Sequence, residues 1–180
     1  MAENIFERGD VLVFQYPDKY YGMTVVEGIT FYKGRHDYDF CRTTYKSENE
    51  PIKNDVHNVK FIGYEVPLGT GGFKKVVQTK FVGHQKLRKY AHNFKKIGNI
   101  SLYENIGGGS GGALDFQQFC LNFNEFEHEN QQHNQQNDLA LLDGILELSE
   151  LEVVKEHSKL IESKPDCYIL REIPIAEFIE

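Results

Sequence analysis

The chain has no tryptophan among its 180 residues, only three cysteines and only five prolines. Cys41, Cys120 and Cys167 are far apart and odd in number, which argues against a disulfide framework and against a CxxC metal site. They read as small buried hydrophobes. No apolar run reaches the roughly 18 residues that a membrane span needs. Met1-Ala2-Glu3-Asn4 also lacks the basic-then-apolar pattern of a secretion signal, so a cytoplasmic location is expected. Also missing are a serine in a G-x-S-x-G turn, an HExxH pair and a phosphate-binding loop. With no catalytic set, the chain is expected to be non-enzymatic and to use no cofactor.

What is abundant points to strands. Thirteen Phe and ten Tyr in a chain that is 40% hydrophobic suit a pleated, half-buried surface. Val11 to Tyr16, ended by Pro17-Asp18-Lys19, and Tyr20 to Ile29 form a predicted hairpin. Tyr38 to Tyr45, Val59 to Val66, Lys74 to Val82 and Asn99 to Glu104 are further predicted strands, and Ser47 to Asn58 reads as a loop. Leu87, Tyr90, Ala91, Phe94 and Ile97 recur at spacings of three and four, which predicts a helix over 84–97 capped by Gly98. Phe119, Leu121 and Phe123 alternate with Cys120 and Asn122, so this stretch is read as a strand over a short helix.

Further on, 127–137 is a polar loop and 139–148 a predicted helix, and Ser149-Glu150-Leu151-Glu152 opens another helix with a capping box. A β-prone segment at 166–173 and an apolar end that docks on the sheet complete the chain. Strands first and helices later predict an α+β fold: a bent, mostly antiparallel sheet, barrel-like near the N-terminus, with helices packed on it. All 180 residues are read as one domain, with a Gly-rich connection at 107–112.

Charge is unevenly divided at that connection. Residues 1–106 carry 16 Lys+Arg against 12 Asp+Glu, and 107–180 carry 4 against 15. Gly107, Gly109 and Gly112 satisfy the dinucleotide pattern G-x-G-x-x-G, but five glycines in six positions satisfy almost any glycine pattern, and no βαβ context surrounds them. The run is read as a connector.

Between Val66 and Tyr103 stand eight Lys+Arg and no acid. Lys86, Arg88, Lys89, Lys95 and Lys96 could neutralise phosphates, which makes a small β-barrel nucleic-acid-binding protein the alternative function. The plainer readings are a solvated helix face, or one that meets the acidic half of the chain. In that half Glu125, Glu127, Glu129, Asp138, Asp143 and Glu147 are the candidate surface for a basic protein partner.

His36, Asp37, Asp39 and Cys41 look like a ligand cluster, but on a strand His36 points away from the other three. His128 and His133 lack a partner pair, and His157 reads as a core histidine. No metal is expected.

Gly9-Asp10-Val11, Tyr21-Gly22, Phe61-Ile62-Gly63, Val66-Pro67-Leu68 and Ile97-Gly98-Asn99-Ile100-Ser101-Leu102 follow one another in a layout that resembles the immunity protein 26 family of bacterial polymorphic toxin systems. The resemblance covers roughly residues 8 to 105. It implies a non-enzymatic cytoplasmic protein that neutralises a toxin by occluding its active site. The acidic surface would suit a basic toxin domain such as a nuclease.

Overall fold

The computed structural model describes residues 4–32, 34–68, 71–110, 115–124 and 170–180. In chain order the elements are β1 (Asp10–Gln15), β2 (Tyr21–Tyr32), β3 (Arg35–Cys41), β4 (Lys46–Ser47), β5 (Lys60–Pro67), β6 (Phe73–Gly83), α1 (His84–Tyr90), β7 (Lys95–Asn99), β8 (Gly107–Ser110), α2 (Phe116–Asn124) and β9 (Arg171–Pro174). Short 3-10 turns lie at Lys53–Asn58, Ala91–Asn93 and Ile175–Glu177. The strands follow the path β7-β1-β2-β3-β6-β5-β9, with β4 added to β2 and β8 to β6. The fold is α+β, with a bent and mostly antiparallel sheet that curls into a half-barrel.

The described residues fall into two compact units. The first holds 4–63, 77–124 and 172–180, and the second holds 64–76 and 170–171. In the second, the end of β5 lies beside the start of β6. There Leu68 N–H donates to the Gly72 carbonyl at 3.0 Å, and Arg171 pairs with the buried Glu65 at 2.6 Å.

In the first unit the sheet is covered on both faces. Leu12, Phe14 and Tyr16 enter one core with Val26, Tyr38, Phe40 and Val82; Val11 enters the other with Met23, Val25, Cys41 and Phe61. The two-residue period of a strand divides them. Burial on both faces explains why Val11-Leu12-Val13-Phe14 carries no polar alternate. The first core is closed by Leu87 and Tyr90 of α1, by Phe94, and by Phe119 and Phe123 of α2. The second is closed by Val56, Val59, Ile173, Ile175 and Phe178. The end of the chain does dock on the sheet: Tyr103 N–H donates to the Phe178 carbonyl at 2.9 Å, and Leu102 bridges Ile179. Cys41 and Cys120 are free, buried thiols, as expected.

Four expectations need correction. The helix predicted over 84–97 stops at Tyr90, and Lys95–Asn99 is instead β7, antiparallel to β1 with Val11 opposite Gly98. The free edge of β1 offers residues 95–99 a ladder of backbone hydrogen bonds, and that pairing overrides a weak local preference for helix. Phe94 reaches the aromatic core from extended backbone and stacks on Phe40 at 5.7 Å. The predicted strand at 99–104 is accordingly displaced upstream. The stretch read as a strand around Phe119–Phe123 is α2, with Phe116, Phe119, Cys120 and Phe123 on one stripe. Ser47 to Asn58 is not all loop, since it holds part of β4 and a 3-10 turn.

The fourth correction concerns the glycines. Gly107–Ser110 is not a connector but β8, parallel to β6 with Gly107 opposite Val77 and Ser110 opposite Lys80. Gly107 is closely approached by side chains of β2 and β6. A Cβ at Gly107 would lie 2.6 Å from Glu27 Oε2 and 3.1 Å from Thr79 Cγ2. At Gly107 the backbone closely approaches the Glu27 carboxylate, which leaves little room for a side chain. The loop expected at 127–137 and the helices expected at 139–148 and from 149 lie outside the described residues, as do Cys167, His128, His133 and His157.

Candidate functional site

In the first unit a cleft of about 530 Å³ opens at the foot of the β2–β3 hairpin, lined by Arg8, Glu27 to Thr30, Asp39, Glu104 and Asn105. Its geometry follows from one irregularity. Val26 pairs with Phe40 and Gly28 with Asp39, so Glu27 is the extra residue of a β-bulge. A bulge re-aims a side chain that regular pleating would send elsewhere. Glu27 Oε1 accepts the Gly107 N–H at 3.3 Å. Gly28 leaves room for its cross-strand partner, since a Cβ there would lie 3.3 Å from Asp39 Oδ2.

Arg8 ties the cleft together. Its Nε donates to the Glu27 carbonyl at 2.7 Å, and its two terminal nitrogens donate to the Leu102 and Tyr103 carbonyls at 3.0 and 2.6 Å. The Glu27 carboxylate lies 4.0 Å from the guanidinium. The cation is therefore committed mainly to backbone oxygens. Three carboxylates, Glu27, Asp39 and Glu104, share a cleft with this one guanidinium.

Asp39 bears the electrostatic consequence. Burial, then the charges of Glu27 and Asp37, push its carboxyl up to about 6. Asp37 is buried and accepts the His84 N–H at 3.1 Å. Cys41, next along β3, is fully buried, and burial together with Glu27 and Asp39 pushes its thiol well above the ordinary range. It is a packed side chain and not a nucleophile. His36 lies across from Phe31, ring centroids 5.1 Å apart, and not with the carboxylates, as strand alternation requires. Among the described residues no group of three or more His, Cys, Asp or Glu is placed to hold a metal ion.

A folded value of about 6 against 3.8 in an open chain means that Asp39 supports folding when protonated and opposes it when charged. Its favourable contribution is complete below about pH 4 and is lost as the pH rises through 6. Full linkage would amount to about 3 kcal/mol, and partial exposure to water reduces that to ~1 kcal/mol. Asp39→Asn should therefore be more stable than the parent by ~1 kcal/mol at pH 8, with the difference gone by about pH 4. Urea titrations at both values measure this, and a variant equally or less stable at pH 8 contradicts it.

The five cations expected on one helix are split between two elements. Lys86, Arg88 and Lys89 lie exposed on α1. Lys95 and Lys96 belong to β7, where Lys95 pairs with Glu50, and Lys96 with Asp10 at 2.6 Å and Glu7 at 3.8 Å. Asp10 itself is held below the usual carboxylate range: burial opposes ionisation, but the Glu7 N–H, Lys96 and Asn99 outweigh it. So these two lysines meet acids of the N-terminal half, which is neither a solvated helix face nor, at these positions, the contact with the acidic half that the sequence left open. The predicted partner-binding acids Glu125, Glu127, Glu129, Asp138, Asp143 and Glu147 all lie outside the described residues.

Sequence reasoning missed the Glu27–Asp39–Glu104 cleft. Asp39 stands out in the sequence only as a member of an apparent ligand cluster, and nothing in the alternation of β2 announces a bulge at Glu27. Among the described residues no helix is long and apolar enough to cross a membrane. No protein-family model, no curated protein and no solved structure matches this chain.

Proposed function

We propose that this chain is a non-enzymatic binding protein of the immunity type, which neutralises a basic toxin domain, such as a nuclease, by occluding its active site. The observation that carries this reading is the cleft lined by Glu27, Asp39 and Glu104 beside a single, already engaged guanidinium. A lysine or arginine side chain entering it would meet the Asp39 carboxylate, while the one guanidinium of the cleft is committed mainly to backbone oxygens. Ionised Asp39 is stabilised by such a cation, so part of the cost of its burial is recovered on binding. The sequence adds long-range attraction, with a formal net charge of −7 that favours encounter with a basic surface.

The reading is tested by purifying the chain together with the product of the adjacent gene. A basic protein should co-purify, its activity should be suppressed at equimolar ratio, and Asp39→Lys should weaken the complex at least tenfold. Recovery of no basic partner would count decisively against an immunity role.

Nucleic-acid binding is the second reading, supported by the exposed Lys86, Arg88 and Lys89 on a helix that carries no acid. It is weakened by the ion pairs of Lys95 and Lys96, which occupy two of the five cations it relied on. The expected result is no measurable binding of DNA or RNA even at low salt, where phosphate contacts are strongest. Binding that falls steeply with salt, and that is lost on changing Lys86, Arg88 and Lys89 to Glu, would reverse the order of the two readings.

A further inference from the structure

We draw no further inference here: the strongest candidate, the cleft between Arg8, Glu27, Asp39 and Glu104 at the foot of the β2–β3 hairpin, belongs to the site already described, and its carboxylates by themselves identify no ligand beyond the basic side chain proposed above.

Discussion

Replacing Gly9 with alanine should destabilise the protein by ~4 kcal/mol, the loss expected when a left-handed backbone and a backbone clash coincide at one residue. Gly9 has φ +85°, and a Cβ there would lie 2.1 Å from the Ile100 carbonyl oxygen. The left-handed conformation costs an alanine roughly 1–2 kcal/mol. The clash adds more, because neither neighbour is free to move. Gly9 N–H donates to the Val26 carbonyl at 2.8 Å, and the Ile100 N–H donates to the Gly9 carbonyl at 2.9 Å. Gly9 thus lies where the start of β1, the end of regular β1–β2 pairing and the segment after β7 are joined. Any shift that accommodates a methyl group breaks one of those bonds. Gly34→Ala is the matched control, with φ +80° and no atom within 4 Å of its Cβ. It should cost only ~1 kcal/mol, the conformational part alone. Urea or thermal denaturation of the two variants separates strain from clash, and equal losses would show that the close approach at Ile100 contributes nothing.

The strands were legible because their hydrophobic pattern is local. Val11 to Tyr16, Tyr20 to Ile29, Val59 to Val66 and Lys74 to Val82 are β-branched or aromatic runs stopped by turn residues, and β1, β2, β5 and β6 fall on them. Helical spacing misled at 87–97 because Leu87, Tyr90 and Phe94 do share one core, although the chain reaches it by a helix and then by extended backbone. Periodicity records which side chains are buried together, and the edge of β1, more than eighty residues away in sequence, decided the backbone. The glycine strand was illegible for a related reason. Gly107 donates to a carboxylate 80 residues upstream, and nothing within the run records that neighbour. The same holds for the cleft, which depends on the register shift that frees Glu27 from regular pairing. Register is a property of two strands and leaves no mark in one.

The charge split has a similar lesson. Eight cations without an acid between Val66 and Tyr103 read as a solvated face or one that meets the acidic half, with a surface for a polyanion as the alternative. Folding brings Glu7, Asp10 and Glu50 from earlier in the chain to Lys95 and Lys96. A basic stretch of sequence is therefore not a basic patch of surface until the strand pairing is known. Conversely, the N-terminal half, basic by count, carries the acidic cleft.

At Phe119 the two backbone readings give opposite expectations for a neighbouring residue. Phe119 is fully buried, and its ring centroid lies 5.2 Å from Phe14, 5.4 Å from Phe40, 5.2 Å from Phe94 and 4.5 Å from Phe123. Truncation to alanine removes the ring that the others close around and leaves a cavity with little freedom to collapse, so Phe119→Ala should cost ~3–5 kcal/mol. On a strand, Leu121 would share the face of Phe119 and Phe123, and Leu121→Ala would cost nearly as much. On α2 it lies to the side, 49% exposed, and the same change should cost under about 0.5 kcal/mol. A local signal for the helix is present in hindsight: the Gln118 N–H donates to Asp115 Oδ1 at 2.9 Å while the Asp115 N–H donates back to Gln118 Oε1 at 3.4 Å, a reciprocal cap spaced as Asp-x-x-Gln. Urea denaturation of the two alanine variants decides the matter. Comparable losses at Phe119 and Leu121 would overturn the helix, whereas a large loss at Phe119 with almost none at Leu121 is what a stripe of Phe116, Phe119, Cys120 and Phe123 pressed onto β1 and β3 requires.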